Sequence, residues 1–160
     1  MGLKIKDILI KEEITFKDLK GKILAVDSMN ILYQFLTTIR GPTGLTLTNS
    51  KGDVTSHLIG LFNRTTSLMQ EGMKLCFVFD GKAPDLKTQT KDARAALKQE
   101  ASVLLKKAQE AGDENAMRKY SARTVVLTKD MVREAKELIT LLGLPIIQAP
   151  SEGEAQTAYM

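Results

Sequence analysis

The stretch Ile23-Leu24-Ala25-Val26-Asp27-Ser28-Met29-Asn30-Ile31-Leu32-Tyr33-Gln34-Phe35-Leu36 decides how the rest of the chain is read. Its first four residues are continuously apolar and end on a carboxylate, the pattern of a short strand in a parallel sheet. From Ser28 the period changes. Met29, Leu32, Phe35, Leu36 and Ile39 recur at helical spacing, which predicts a helix over 28–39 directly after a strand over 23–27. Further along, Leu75-Cys76-Phe77-Val78-Phe79-Asp80 repeats the apolar run and its terminal carboxylate. Pro145-Ile146-Ile147-Gln148-Ala149-Pro150 supplies a third run, with Glu152 and Glu154 just beyond it. Helices are expected over 55–71, 85–111, 115–123 and 129–142, with Gly72, Gly112 and Gly143 as stop signals and Thr128 as a cap. Residues 41–52 are rich in turn formers and read as a loop or small hairpin. Strands alternating with helices predict an α/β fold whose central, mostly parallel sheet is flanked by helices.

Such sheets bind ligands outside the carboxyl ends of their strands. Asp27, Asp80, Glu152 and Glu154 are all expected there, and carboxylates gathered in one place repel one another unless a cation lies between them. Oxygen donors without a cysteine or histidine cluster favour Mg²⁺ or Mn²⁺ over zinc, which points to metal-assisted attack on a phosphate ester. Each residue also has an ordinary role open to it. Asp27 or Ser28 can cap the following helix, Asp80-Gly81 can be a turn, and Ser151-x-x-Glu154 matches a capping box. A dehalogenase-type phosphatase is excluded because its Asp-x-Asp motif would need an acid at Met29.

The 160 residues are enough for one ordinary domain, taken as roughly 100–200 residues. No apolar run approaches the roughly 18 residues needed to cross a bilayer, so no membrane partner is expected. The start lacks the apolar core of a signal peptide, and the single cysteine, Cys76, falls inside a strand as a small buried hydrophobe. Together these predict a soluble protein of a reducing compartment. The net charge of +4 is unevenly spread. Residues 82–136 carry 13 Lys/Arg against 8 Asp/Glu, whereas 137–160 carry no basic residue and three acids. A basic middle beside an acidic end suits a polyanion laid across a metal site.

The helix expected over 85–111 sharpens this. Lys87, Lys91, Arg94 and Lys98 fall within about 60° of arc, with Asp85, Asp92 and Glu100 on the opposite side. A solvated helix commonly mixes its signs at i,i+4, and this one separates them, as a phosphate-gripping surface requires. Tyr33, about a turn and a half beyond Asp27, reads as partly core, with stacking on a base near the mouth of a nucleic-acid site as the other role open to it. Arg40 and Arg64 are candidate phosphate contacts, with plain surface roles as the alternative. His57 is not expected to be catalytic.

These motifs are recognisable. The run 26–36, Thr55-Ser56-His57-Leu58, Val78-Phe79-Asp80-Gly81-Lys82-Ala83-Pro84 and Ala149-Pro150-Ser151-Glu152-Gly153-Glu154-Ala155-Gln156 resemble the signatures of the flap endonucleases. The 41–52 loop is more similar to archaeal members. The resemblance implies a PIN-like 5′ nuclease core with a helical arch, divided into an N-terminal nuclease region over 1–98, an arch or gateway over 82–128 and an incomplete internal nuclease region from 116 to 160. It implies a structure-specific 5′ nuclease that hydrolyses phosphodiesters at 5′ flaps in replication and repair. Two Mg²⁺ ions, or Mn²⁺ in their place, would be held by Asp27, Asp80, Glu152 and Glu154. Lys87 and Arg94 match the basic pair that contacts the scissile phosphate, Tyr33 the stacking aromatic, and Gly2 the residue exposed once Met1 is removed. Gly2, Tyr33, Arg40, Arg64, Lys91 and Lys98 make up the expected DNA-contact set. Further metal ligands, a duplex-gripping motif and a tail that docks on the sliding clamp would lie beyond Met160, so these residues alone are expected to be poorly active. The location would be cytoplasmic and nucleoid-associated in an archaeon, nuclear in a eukaryote. Another 5′ exonuclease or excision-repair nuclease of the superfamily and a non-catalytic DNA-binding module are the alternatives.

Overall fold

The computed structural model describes residues 12–82 and 88–160 together with Ile8 and Ile10; of residues 88–96 it describes the backbone. A 3₁₀ turn at Phe16–Leu19 precedes β1 (Ile23–Asp27), which passes without a break into helix α1 (Ser28–Thr38). Helix α2 (Ser56–Gln70) leads to β2 (Lys74–Phe79). Three helices follow, α3 (Thr88–Ala111), α4 (Glu114–Arg123) and α5 (Lys129–Leu141), then β3 (Ile146–Gln148) and α6 (Gly153–Tyr159). Both strand pairings are parallel and β2 is central, with Asp27 opposite Val78 and Phe79 opposite Gln148. The α/β fold expected from the alternation is therefore present. The turn-rich loop makes two isolated antiparallel bridges, Arg40 with Thr46 and Thr48 with Val54.

β2 explains the continuity of its apolar run. Five consecutive residues, Leu75 to Phe79, are buried, so both faces of the strand are covered. Leu75, Phe77 and Phe79 alternate onto one face and pack with Leu32 of α1, Leu61 of α2, and Ala135 and Ile139 of α5. Cys76 and Val78 are buried on the other face, and burial pushes the Cys76 thiol pKa up, which keeps it protonated and unreactive. Each helix stops near the glycine named for it. Gly72, Gly112 and Gly143 all take positive φ directly after α2, α3 and α5.

His57 is wholly buried and lies between α2 and α5, its Nε2 3.3 Å from Glu134 Oε2, in a geometry that falls short of a hydrogen bond. Burial holds the imidazole pKa below its ordinary value, with the Glu134 carboxylate pulling it partly back up. The fold thus favours neutral His57, and its stability contribution is complete above the unfolded pKa of about 6.5 and is lost as pH falls from there through the folded value. Thermal melts between pH 8 and 5 should show this as a falling Tm. Glu134→Gln removes the upward pull, so the drop at pH 5 should be larger while the melt at pH 8 is little changed. A drop that is the same size with and without Glu134 would contradict the pairing.

Candidate metal and nucleic-acid site

Asp27 is the last residue of β1 and also the N-cap of α1: its Oδ1 accepts the Asn30 N–H at 3.1 Å. The capping role open to it in sequence is therefore filled, by one carboxylate oxygen. Asp80 follows β2 and likewise uses one oxygen on a helix start. Its Oδ1 accepts the N–H of Gly153, the first residue of α6, at 2.7 Å. A Cβ on Gly153 would lie 2.8 Å from that same oxygen, so only glycine lets the helix approach this closely. Gly81 is under a similar constraint, since a Cβ there would collide with the carbonyls of Ala149 and Pro150.

The loops after β2 and β3 are laced together. Ala149 N–H donates to Phe79 O at 2.9 Å, Gly81 N–H to Ser151 O at 2.6 Å, and Gln148 Nε2 to Asp80 O at 2.5 Å. Lys136 of α5 steadies Gln148 through Oε1 at 2.7 Å and lies over the Phe79 ring at 4.8 Å. From β3 the chain crosses the top of the sheet, so that α6 packs on β1 and β2. That crossing brings Glu152 and Glu154 to the end of the sheet where Asp27 and Asp80 already stand. Glu152 is partly buried and Glu154 exposed.

The capping box suggested by Ser151 and Glu154 is not formed. Glu152 is the N-cap residue, without a side-chain cap bond, and Ser151 Oγ instead donates to Lys82 O at 3.2 Å. The helix begins one residue later than the box requires, and its first N–H goes to Asp80, which reaches across from the end of the neighbouring strand.

As a donor set, four carboxylates suit hard, oxygen-preferring cations such as Mg²⁺. Among the described residues no three acidic, histidine or cysteine side chains converge closely enough to hold a metal ion. Asp27 and Asp80 each spend only Oδ1 on the protein bonds described above, and a carboxylate has a second oxygen to offer a cation.

The basic residues divide differently. Gly2 and Lys87 lie outside the described residues, as do the side chains of Lys91 and Arg94. Lys98 sits over the Tyr33 ring at 5.7 Å, which joins α3 to α1. Together with Thr37, Tyr120 and Arg123 they line a cavity of about 460 Å³. Arg64 is exposed on α2 and stacks at 6.0 Å over Phe16. Arg40 is not the free cation expected of a phosphate contact. It is half-buried, and its guanidinium donates to Thr37 O, Ser121 O, Gly44 O and Ser121 Oγ. Sequence reasoning missed Gly153, Gln148 and Lys136 as supports of Asp80. The one local signal was a glycine held between two glutamates.

The chain matches the family model described as XPG N-terminal domain over residues 2–101. It is 46% identical to the flap endonuclease 1 of Methanosphaera stadtmanae across all of its own length and 49% of the relative's, and 47% identical to that of Aeropyrum pernix across 47% of the relative's. Among solved structures it is similar to the flap endonuclease-1 of Methanococcus jannaschii, with TM-score 0.69 and 43% identity over 99% of this chain and 50% of the other. The catalytic core of Rad2 in complex with DNA substrate superimposes at TM-score 0.59 with 31% identity, over 92% of this chain and 36% of the other. The chain thus spans about half the length of the curated relatives it matches. That family match covers more than half of the chain, and the chain belongs to the XPG N-terminal domain family.

Proposed function

We propose that this chain carries the cation-holding and DNA-gripping part of a structure-specific 5′ nuclease that acts on branched DNA with a 5′ flap, in replication and repair. The observation that carries the reading is the crossing of the chain from β3 to α6, which sets Glu152 and Glu154 at the strand ends occupied by Asp27 and Asp80. The relatives are flap endonucleases by name, and the Rad2 core with which the fold superimposes is in complex with DNA substrate. Asp27, Asp80, Glu152 and Glu154 would hold two Mg²⁺ ions, with Mn²⁺ as a substitute. When bound, such ions polarise a phosphoryl oxygen and neutralise charge that develops on the leaving oxygen.

The protein's own part is positioning and charge. Asp80, tied to α6, and Asp27, tied to α1, are restrained at the sheet end before any substrate arrives. Lys87 and Arg94, seven residues apart in the sequence, are assigned to the scissile phosphate, where preorganised cations stabilise charge that grows in the transition state. Lys91 and Lys98 bind the flanking backbone, Tyr33 stacks on an unpaired base, and Arg64 and Gly2 remain candidate contacts. The 160 residues by themselves should bind Mg²⁺ weakly and cleave slowly. The whole protein would work in the nucleoid or nucleus with a sliding clamp as partner. Among the described residues no helix is long and apolar enough to cross a membrane.

In the full-length protein, Asp80→Ala should abolish cleavage of a 5′-flap substrate while flap affinity measured in Ca²⁺ stays within a few-fold. Retained cleavage at ordinary Mg²⁺ would remove Asp80 from the ligand set. Gly153→Ala tests the joint: its Cβ must push Asp80 aside, so the Tm gain on adding Mg²⁺ should shrink together with the cleavage rate. A normal Mg²⁺-dependent gain would show the close approach to be dispensable. For the helix, Lys87→Ala or Arg94→Ala should slow single-turnover cleavage far more than it weakens affinity, whereas Lys98→Ala should lower affinity and reduce the salt slope by about one unit. Loss of affinity alone in all three variants would make α3 a passive electrostatic surface.

A further inference from the structure

The loop after α1 is fastened to a helix some eighty residues further along the chain, and the guanidinium of Arg40 stands at the centre of the fastening. Arg40 Nε donates to Thr37 O at the end of its own helix, at 3.2 Å. Nη2 donates to Ser121 O on α4 at 3.3 Å, and Nη1 reaches Ser121 Oγ and, at 3.4 Å, the carbonyl of Gly44. Ser121 is 3% exposed, and its hydroxyl donates to that same Gly44 carbonyl at 2.7 Å. One turn away, Arg118 Nη2 donates to Pro42 O at 3.1 Å. The fit is close as well as polar. Gly44 is buried with φ +78°, and a Cβ there would lie 2.9 Å from the Arg118 Cα.

The carbonyl of buried Gly44 must find donors, and here they come from Arg40 and from Ser121 of α4. A planar fork suits acceptors on three separate residues, which a lysine ammonium on a flexible stem cannot serve at once. α4 in turn packs along α3, the helix that carries the segregated basic stripe.

We propose that Arg40 is a positioning residue that locks the 41–47 loop to α4 through Ser121, and so sets how the α3–α4 pair is presented to nucleic acid. It does not act by touching a phosphate. The coupling to nucleic acid rests on the nuclease reading above, whereas the lock itself does not.

The test uses Arg40→Lys, Arg40→Ala, Ser121→Ala and the double variant Arg40→Lys/Ser121→Ala of the full-length protein. The first readout is amide hydrogen exchange without DNA. The Gly41 and Gly44 amides, which bond to Leu45 O and Gly41 O, should exchange at least about tenfold faster in each single variant. The double variant should be no faster than the worse single one, since either change breaks the same unit. The second readout is the salt dependence of flap-DNA binding. Arg40→Lys and Ser121→Ala should weaken affinity by a similar factor of several-fold, and the salt slope should be unchanged even in Arg40→Ala. Three results would overturn the lock: unchanged exchange in Ser121→Ala, additive effects in the double variant, or a slope that falls by about one unit in Arg40→Ala while Arg40→Lys binds normally. Faster exchange in the variants, with no flap-DNA binding by the unaltered protein, would sink the nuclease reading and leave the lock standing.

Discussion

The bond from Gly153 N–H to Asp80 Oδ1 is the contact on which the rest of the site depends. Asp80 is exposed at the end of the central strand, and the start of α6 offers its carboxylate a backbone donor. By accepting that bond Asp80 fixes where α6 begins, and α6 carries Glu152 and Glu154. One interaction therefore restrains three of the four acids relative to one another. The absence of a side chain at Gly153 is what permits it, since a Cβ would occupy the space of the acceptor oxygen. Asp27 repeats the device on α1. In both cases the group that would hold a cation is also a structural group, which keeps mutual repulsion among the acids from splaying the strand ends.

Much of this was legible in the sequence because it is local. The 23–36 stretch specifies strand then helix by a change of period, and the structure breaks at Asp27–Ser28 where the period changes. The two-faced burial of β2 followed from an unbroken apolar run. The strand-end acids were found for the same reason. What could not be read was any bond whose partner lies far along the chain. Ser151 and Glu154 satisfy the capping-box pattern, yet the helix takes Glu152 as its N-cap and gives its first N–H to Asp80, some seventy residues earlier. A local pattern states which bonds are available and says nothing about a competitor from another strand.

Arg40 shows the same limit from the other side. A lone arginine beside a glycine-rich loop has no sequence feature that separates a surface cation from a buried clasp. Its partner, Ser121, stands in a polar helix without any motif, and only packing reveals that the hydroxyl is 3% exposed. Burial lowers the Arg40 pKa, but a guanidinium stays charged throughout the ordinary range, so the desolvated charge must be met by acceptors. The Gly44 and Ser121 carbonyls meet it. Gly44 is legible in retrospect, because a glycine at positive φ beneath a helix backbone tolerates no other residue.

Asp27 and Asp80 stand at the sheet end, and Lys98 belongs to α3, held by α4 and by its contact with Tyr33. Attraction between an acidic centre and a basic helix falls off over roughly a Debye length of 8–10 Å at ordinary salt, so charge alone does not set their separation. A polyanion between them is attracted by the helix and repelled by bare carboxylates, and its placement is favourable only once cations neutralise the acids. The spacing must then be built into the backbone. The Arg40–Ser121 clasp supplies that spacing from the loop side and Tyr33 from the α1 side, and α1 itself begins at Asp27. The basic helix is thereby referenced to the same residue that would hold the metal, without any direct contact between the two.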